Sequence, residues 1–369
     1  MSGGARITGI VRLLALVTNP PEGASTRFRV LQWKPYLERA GFTLQVQAFY
    51  SAVASRIVYQ PGRYPAKLAH FVAGAVRRSR AFASAARSAD ILLIHREAFP
   101  LGWRLMFSRV RKFPGPVIYD YDDAMFLPQR QGRGVLSWLE RLDTPAEVMA
   151  LSDAVLAGNS FLADYARRYA RQVILLPTCI DTDKFWPSDR LRTSDSCVVG
   201  WIGSHSTAKY LQSLLPILER VARGHRFQLY VVGNPTPLDS PGFEITQALW
   251  GLEREVEDFR RCDVGVYPLW NDDWSRGKCG FKAIQFMACG VPVVASAVGV
   301  NREIIQDGVN GFLAATEEEW VEKLGWLLSD PSLREKLGRT GRETIVERYS
   351  LAVHAPTMAA VFRSALEAV

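Results

Sequence analysis

Two stretches of this 369-residue chain concentrate groups that can handle phosphate. The longer runs Arg276-Gly-Lys-Cys-Gly-Phe-Lys282, passes Gln285 and a Val-Pro-Val-Val run, and reaches Gly299-Val-Asn-Arg-Glu303. Its glycines predict a turn that opens a helix near residues 280–289, a stop at Gly290, a buried strand, and at Gly299 a close approach of backbone to a ligand. A helix N-terminus flanked by Lys278 and Lys282 attracts a diphosphate through open N–H groups, the helix dipole and two ammonium charges. The shorter stretch, Ser204-His-Ser-Thr-Ala-Lys209, follows another apolar run and carries one lysine, with His205 either in reach of a phosphate or a polar loop histidine without a role. On spacing alone a second reading stays open, in which the lysines are solvated helix ends and the glycines only turns.

The first half of the chain carries carboxylates instead. Pro116-Val-Ile-Tyr-Asp-Tyr-Asp-Asp reads as a buried strand ending in three acidic groups. Asp122 and Asp123 at its carboxyl edge would orient an acceptor hydroxyl or take its proton, the better if neighbours raise their pKa. Aspartates that cap the next helix are the competing reading. Ile91-Leu-Leu-Ile ends in the polar triplet His95, Arg96 and Glu97, and the loop from Asn19 to Phe28 carries Arg27. These four are candidates for an acceptor side, against the alternative of polar groups satisfied within the fold. Trp250 either stacks on a base or belongs to the core.

Such residues need elements to hold them. Strands are predicted at 11–18, 42–49, 90–95, 116–121, 153–157, 172–176, 197–202, 227–232, 263–267, 291–295 and 312–314, separated by helix-length amphipathic segments. Near-continuous apolar strands alternating with helices predict α/β architecture, two doubly wound parallel sheets covered on both faces. The boundary falls at Pro177–Pro187, with polar composition through Asp195. In such sheets ligands bind outside the carboxyl ends of the strands.

A composition 48% apolar and 22% charged, with net charge +8, excludes disorder. Five cysteines without a CxxC pair argue against a disulfide scaffold or structural zinc and fit a reducing cytosol. No uncharged apolar run approaches the ~18 residues of a membrane span. Ile10–Val17 is also too short and wrongly flanked for a signal peptide. From Arg63 to Lys112 eleven Lys or Arg face two acidic residues. A helix over about 65–87 would set Leu68, Phe71, Val72, Ala75, Phe82 and Ala86 on one face and Lys67, Arg77, Arg78, Arg80 and Arg87 on the other. It either lies at an anionic membrane surface or packs on the sheet with a solvated basic face.

The phosphate-handling stretch resembles the donor-site signature of family-4-type (group 1) retaining glycosyltransferases of the GT-B fold. That signature is Glu, seven residues, Glu, then Ala-Met-Ala-x-Gly-x-Pro-Val-Val, followed by Gly-Gly-x-x-Glu and Asp-Gly-x-Asn-Gly. Met287-Ala-Cys-Gly-Val-Pro-Val-Val and Asp307-Gly-Val-Asn-Gly match it, within a strong likeness over roughly 197–350 and a weaker one over 11–180. The resemblance implies a donor site of Ser204, Lys209, Asp272, Lys278, Gly280, Phe281, Lys282, Gln285, Gly299, Asn301 and Glu303. Two departures stand out. The ribose-binding Glu of the family falls on Gln285, whose amide still accepts one hydroxyl and donates to another. The sugar-contacting Glu falls on Gly277, with Asp272 or Asp273 as the nearest substitute. Ser204 stands where the family has an Arg, and Asp122 where it often has a His. Asp120-Tyr-Asp122 spells the DxD of metal-dependent enzymes of the other glycosyltransferase fold, and beside GT-B features it is read as coincidence, with no catalytic metal.

The resemblance further implies residues 1–182 as an acceptor-binding Rossmann-like domain, 183–350 as a nucleotide-sugar-binding one, and 351–369 as a helix crossing back to the first. The expected activity is transfer of a sugar, with retention, from a nucleoside diphosphate sugar to a hydroxyl of a lipid-linked or cell-envelope glycan. The nucleotide sugar is a co-substrate and no cofactor is expected. The expected location is the cytoplasm, peripherally at the inner face of the membrane. Competing readings are a nucleotide-binding GT-B protein without transferase activity, a sugar-nucleotide epimerase of the same fold, and a nucleic-acid binder suggested by a pI near 9.3. The basic region contains no recognised nucleic-acid motif.

Overall fold

The computed structural model describes residues 9–128, 144–187 and 196–368, apart from 59, 61, 98, 101–103, 235 and 241. The chain divides into unit 1, Met1–Cys179 with His354–Val369, and unit 2, Ile180–Val353. Part of the polar stretch after Pro187 lies outside the described residues.

Unit 1 runs β1 (Val11–Val17), α1 (Ala24–Arg29), α2 (Lys34–Arg39), β2 (Phe42–Ala48), α3 (Ala52–Val58), α4 (Tyr64–Ser88), β3 (Ile91–His95), α5 (Arg104–Arg111), β4 (Val117–Tyr121), α6 (Thr144–Leu151), β5 (Ala154–Ala157), α7 (Ser160–Ala166) and β6 (Val173–Leu175). Its sheet has the order β2-β1-β3-β4-β5-β6, with every pairing parallel. β3, β4 and β5 are buried along their whole length, as strands covered on both faces must be.

Unit 2 runs β7 (Cys197–Ile202), α8 (Ala208–Ala222), β8 (Phe227–Val232), β9 (Glu244–Ala248), α9 (Glu255–Arg260), β10 (Val264–Tyr267), α10 (Asp273–Arg276), α11 (Phe281–Ala288), β11 (Val293–Ser296), α12 (Asn301–Ile304), β12 (Phe312–Ala314), α13 (Glu317–Ser329) and α14 (Pro331–Arg348). A last helix, α15 (Leu351–Glu367), starts in unit 2 and continues into unit 1. The second sheet, also all parallel, has the order β12-β11-β10-β7-β8-β9. Leu211, Leu214, Leu218 and Val221 recur at helical spacing along α8 and pack with Leu324 and Leu327 of α13 over Val199, Val264 and Val294 of the sheet.

Eleven strands fall where the apolar runs predict them. The twelfth, β9, is an edge strand with no buried residue and the polar sequence Glu-Ile-Thr-Gln-Ala, so it leaves no apolar run to find. The predicted face of α4 is corrected. Leu68 and Val72, placed on one face with Phe82, stand 64% and 52% exposed, whereas Arg78, placed on the opposite basic face, is fully buried with Phe82 and Ala85. Arg78 Nη2 donates to the carbonyls of Val17 and Gln47, which lets an arginine sit in the interior.

Candidate functional site

In each sheet the chain winds outward in two directions from a pair of neighbouring strands, and loops after that pair diverge to leave room for a ligand. The pair is β1 and β3 in unit 1, and β7 and β10 in unit 2. The two sites are described separately.

In unit 2, β7 leads into Ser204, His205 and Lys209, and β10 leads into the segment from Trp270 to Gly280. Ser204 caps the turn: its N–H donates to Thr207 Oγ1 at 2.9 Å. Lys209 opens α8 with its Nζ 4.7 Å from the ring centre of Trp270 and 5.1 Å from that of Tyr210. Tyr210 in turn places its hydroxyl 3.3 Å from Ser275 Oγ, so α8 and α10 start side by side. Asp272 is committed to capping α10, its carboxylate accepting from Ser275 N–H at 2.8 Å.

Past α10, Gly280 has φ +64 and starts α11; a Cβ there would lie 2.3 Å from Ile304 Cδ1. Gly299, with φ +53, leaves no room for a Cβ against the Arg276 backbone, 2.9 Å away. These two glycines bring the loops after β10 and β11 into contact, and with them Lys278, Phe281, Lys282, Asn301 and Glu303. Gln285 and Asn301 are both fully buried. Lys282 Nζ donates to Gln285 Oε1 at 2.7 Å, which fixes the amide with its Nε2 turned away from that bond and without a partner among the described residues. Asn301 Nδ2 donates to Ser296 O at 2.9 Å, and its Oδ1 likewise finds no partner among the described residues. Two orphaned buried polar atoms, a donor on α11 and an acceptor beside Gly280, are what a polar ligand would satisfy. Trp250 lies near the ends of β7 and β8, its Cβ 3.7 Å from where a side chain on Gly233 would begin.

The Asp307-Gly-Val-Asn-Gly motif has a structural task. Asp307 accepts from Leu313 N–H and pairs with Lys323 Nζ at 2.9 Å, while Asn310 donates to Ile304 O and accepts from Gln306 N–H. It shapes the turn between α12 and β12.

In unit 1, three of the four acceptor candidates gather at the end of β3, and Arg27 stays half-buried on α1 beside the ring of Phe28. His95 Nδ1 lies 2.7 Å from Asp120 Oδ2, and Arg29 closes on the same carboxylate. Arg29 also donates to Leu176 O at 2.9 Å. Burial alone would push the Asp120 carboxyl up, yet the Arg29 charge and the His95 bond hold it below the usual range. His95 Nδ1 therefore donates to an ionised Asp120, and His95 Nε2, buried, has no partner among the described residues. Arg96 adopts φ +60, uncommon for a side-chain-bearing residue, and its guanidinium reaches Asp122 at 2.6 Å and Asp123 at 3.4 Å. Against the desolvation that would raise it, Asp122 is held well below its ordinary pKa by Arg96, then by His95 and Arg29. Its neighbours lower the pKa, so Asp122 is a fixed anion and a weak base. Glu97 contributes its carbonyl to Thr18 Oγ1 at 3.3 Å. Asp120 and Asp122 are thus each matched to an arginine, and among the described residues no group of three or more His, Cys, Asp or Glu could hold a metal.

Sequence reasoning missed Arg29, Asp120 as a site residue, and Trp270. The first two had a signal: an aspartate inside an apolar strand requires a buried cation. Trp270 had none, because one tryptophan in a loop is not distinguished from nine others.

Residues 196–330 match the family described as glycosyl transferases group 1. A D-inositol 3-phosphate glycosyltransferase of Geodermatophilus obscurus is 31% identical over 198 residues, 45% of this chain and 43% of that one. The enzyme of the same name from Stackebrandtia nassauensis is 29% identical over 224 residues, 52% and 49%. The chain spans about half the length of these curated relatives. Among solved structures, sucrose-phosphate synthase from Thermosynechococcus elongatus aligns over 97% of this chain and 100% of its own, with a TM-score of 0.73 and 18% identity. HepE of Anabaena in complex with UDP aligns over 96% and 100%, with 0.69 and 15%; HepE has also been solved with UDP-glucose. At such identities the structural likeness speaks for the fold, and the sequence match for the family of the segment that carries Lys209, Gly280 and Gln285. Residues 196–330 are thus similar to the glycosyl transferases group 1 family, and the fold is GT-B.

Proposed function

We propose that the protein transfers a sugar from a nucleoside diphosphate sugar to a hydroxyl acceptor on a lipid-linked or cell-envelope glycan, with retention of configuration. What supports the donor side is that Lys209 follows β7 while Lys278, Lys282 and the N-terminus of α11 follow β10, the two strands of the switch, and that Lys282 holds Gln285, whose Nε2, like Asn301 Oδ1, finds no partner among the described residues. As the glycosidic bond breaks, the leaving diphosphate gains charge, and fixed cations there stabilise the transition state more than the ground state. With that charge supplied by the chain, the reaction takes no cofactor beyond its co-substrate. Gln285 Nε2 is the group offered to the ribose. His95, Arg96, Asp123 and the ionised Asp122 orient the acceptor hydroxyl from unit 1.

The site of action in this reading is the cytoplasmic face of the membrane. No helix among the described residues is long and apolar enough to cross a bilayer. Tyr64, Leu68, Val72 and Val76 instead form an outward apolar ladder along α4, and no acidic residue occurs between Glu38 and Asp90. Such a helix suits the surface of an anionic bilayer, and co-sedimentation with phosphatidylglycerol vesicles that is lost in high salt tests it.

The donor reading is tested by thermal shift with UDP, GDP, ADP, CDP and their sugars on the wild type, Lys209→Ala and Lys282→Ala. One nucleotide is expected to raise the melting temperature of the wild type, and the variants to lose most of that rise. No rise with any nucleotide at millimolar concentration would sink the reading.

A further inference from the structure

We infer that Trp270 is a positioning residue for diphosphate recognition, acting through Lys209; the inference rests on the donor reading above. Lys209 forms no ion pair among the described residues, and its ammonium is held instead between two aromatic rings, 4.7 Å from the centre of Trp270 and 5.1 Å from that of Tyr210. The rings meet edge to face, with centres 5.2 Å apart and planes at 74°. Each is itself tied down. The Trp270 indole N–H donates to Ser213 Oγ at 3.2 Å, Ser213 Oγ donates to Tyr210 O at 2.8 Å, and the Tyr210 hydroxyl lies 3.3 Å from Ser275 Oγ. Tyr210 is buried, whereas Trp270 is 40% exposed, so the cradle is rigid underneath and open to solvent above.

This arrangement differs in kind from a salt bridge. A carboxylate beside Lys209 would order the side chain but would also compete with an incoming phosphate for its charge. An aromatic face attracts a cation through its quadrupole, strongly enough to bias a flexible four-carbon stem and too weakly to outbid a diphosphate. The lysine therefore gives up part of its rotamer freedom before the ligand arrives, and that loss no longer subtracts from binding. Placement supports the assignment. Trp270 comes from the loop after β10 and Lys209 from the first turn of α8, the helix that follows β7; these two strands flank the switch point, so the tryptophan sets the lysine from across the mouth of the site.

The test is a double-mutant cycle on the full chain. Dissociation constants for UDP, and for GDP, ADP and CDP if UDP does not bind, are measured by calorimetry for the wild type, Trp270→Leu, Trp270→Phe, Lys209→Ala and the double variant Lys209→Ala/Trp270→Leu. Melting without ligand checks that each folds. Trp270→Leu is expected to weaken binding about three- to tenfold, Trp270→Phe to recover most of the loss, and Trp270→Leu to add nothing in the Lys209→Ala background. Ser213→Ala, which frees the indole N–H, should give a smaller loss of the same kind and serves if Trp270→Leu does not fold. Equal weakening by Trp270→Leu with and without Lys209 would overturn the inference, because the ring would then act on the ligand directly or through the fold. So would unaltered affinity in Trp270→Leu while Lys209→Ala binds poorly, an outcome that leaves the donor reading standing. If none of the four nucleotides binds the wild type, or Lys209→Ala binds as well as the wild type, the donor reading itself fails at this lysine and the inference goes with it.

Discussion

Arg29, Asp120 and His95 show how a buried charge can be retained at a strand end. Two ions taken out of water cost several kcal/mol each, and only close pairing with satisfied hydrogen bonds returns that cost. The carboxylate here accepts from both partners, and Arg29 also finds Leu176 O. Replacing Arg29 with Met strands a carboxylate that is 0% exposed, and about 3–5 kcal/mol of stability should be lost in urea unfolding. The pH dependence has a definite sign. Asp120 and Asp122 both titrate below their ordinary value in the folded chain, so their contribution is complete above about pH 4 and is lost as pH falls through the lower folded values. In Arg29→Met the folded value of Asp120 rises toward or past that of the unfolded chain, and acid unfolding should begin at a higher pH. A wild type and variant with superimposable acid limbs would show that the pair carries no such linkage.

At the scale of elements, the loops after β10 and β11 are held against each other by glycines, and Gly280 is the tighter joint. Alanine there would need a left-handed backbone and would put its methyl group on Ile304, a residue 1% exposed. Gly280→Ala should lose about 1–3 kcal/mol of stability and, because α11 is re-aimed, nearly all nucleotide-induced thermal shift. Loss of stability with an undiminished shift would show that the turn is structural only. The helix that starts at Gly280 was readable from sequence because its punctuation is local: a glycine before, Gly290 after, an apolar run between. The eleven found strands were readable for the same reason, each being a buried run bounded by turn residues. β9 was not, since an edge strand satisfies its pattern with half-exposed polar residues. The orientation of α4 also escaped, because counting apolar residues puts Leu68 and Val72 on one face with Phe82 and cannot foresee that Arg78 finds the carbonyls of Val17 and Gln47. Of the sites, residue types at strand ends were legible. Their pairings, such as Arg96 on Asp122 or Lys209 on Trp270, depend on which strands are neighbours, and that order is set by the whole sheet.

At the scale of the molecule, unit 1 is discontinuous in sequence and unit 2 is not. Residues 354–369 supply Phe362, 0% exposed, which meets Phe42 edge to face at 5.8 Å, and Arg363, which donates to Ala40 O at 2.8 Å. Deleting 354–369 should strip hydrogen-exchange protection from β1 and β2 while β7 and β10 keep theirs, since the loss of Phe362 alone removes about 3–5 kcal/mol of packing from unit 1. Uniform loss across both units would mean that they unfold as one. The same discontinuity has a consequence in time. On the ribosome, the segment that closes the core of unit 1 is polymerised only after all of unit 2, about 10–35 s later at ordinary rates of synthesis. Unit 2 is contiguous and can close as soon as it has emerged. The half of the protein that is translated first is therefore the half that matures last, and Phe42 must wait through that interval with an uncovered ring.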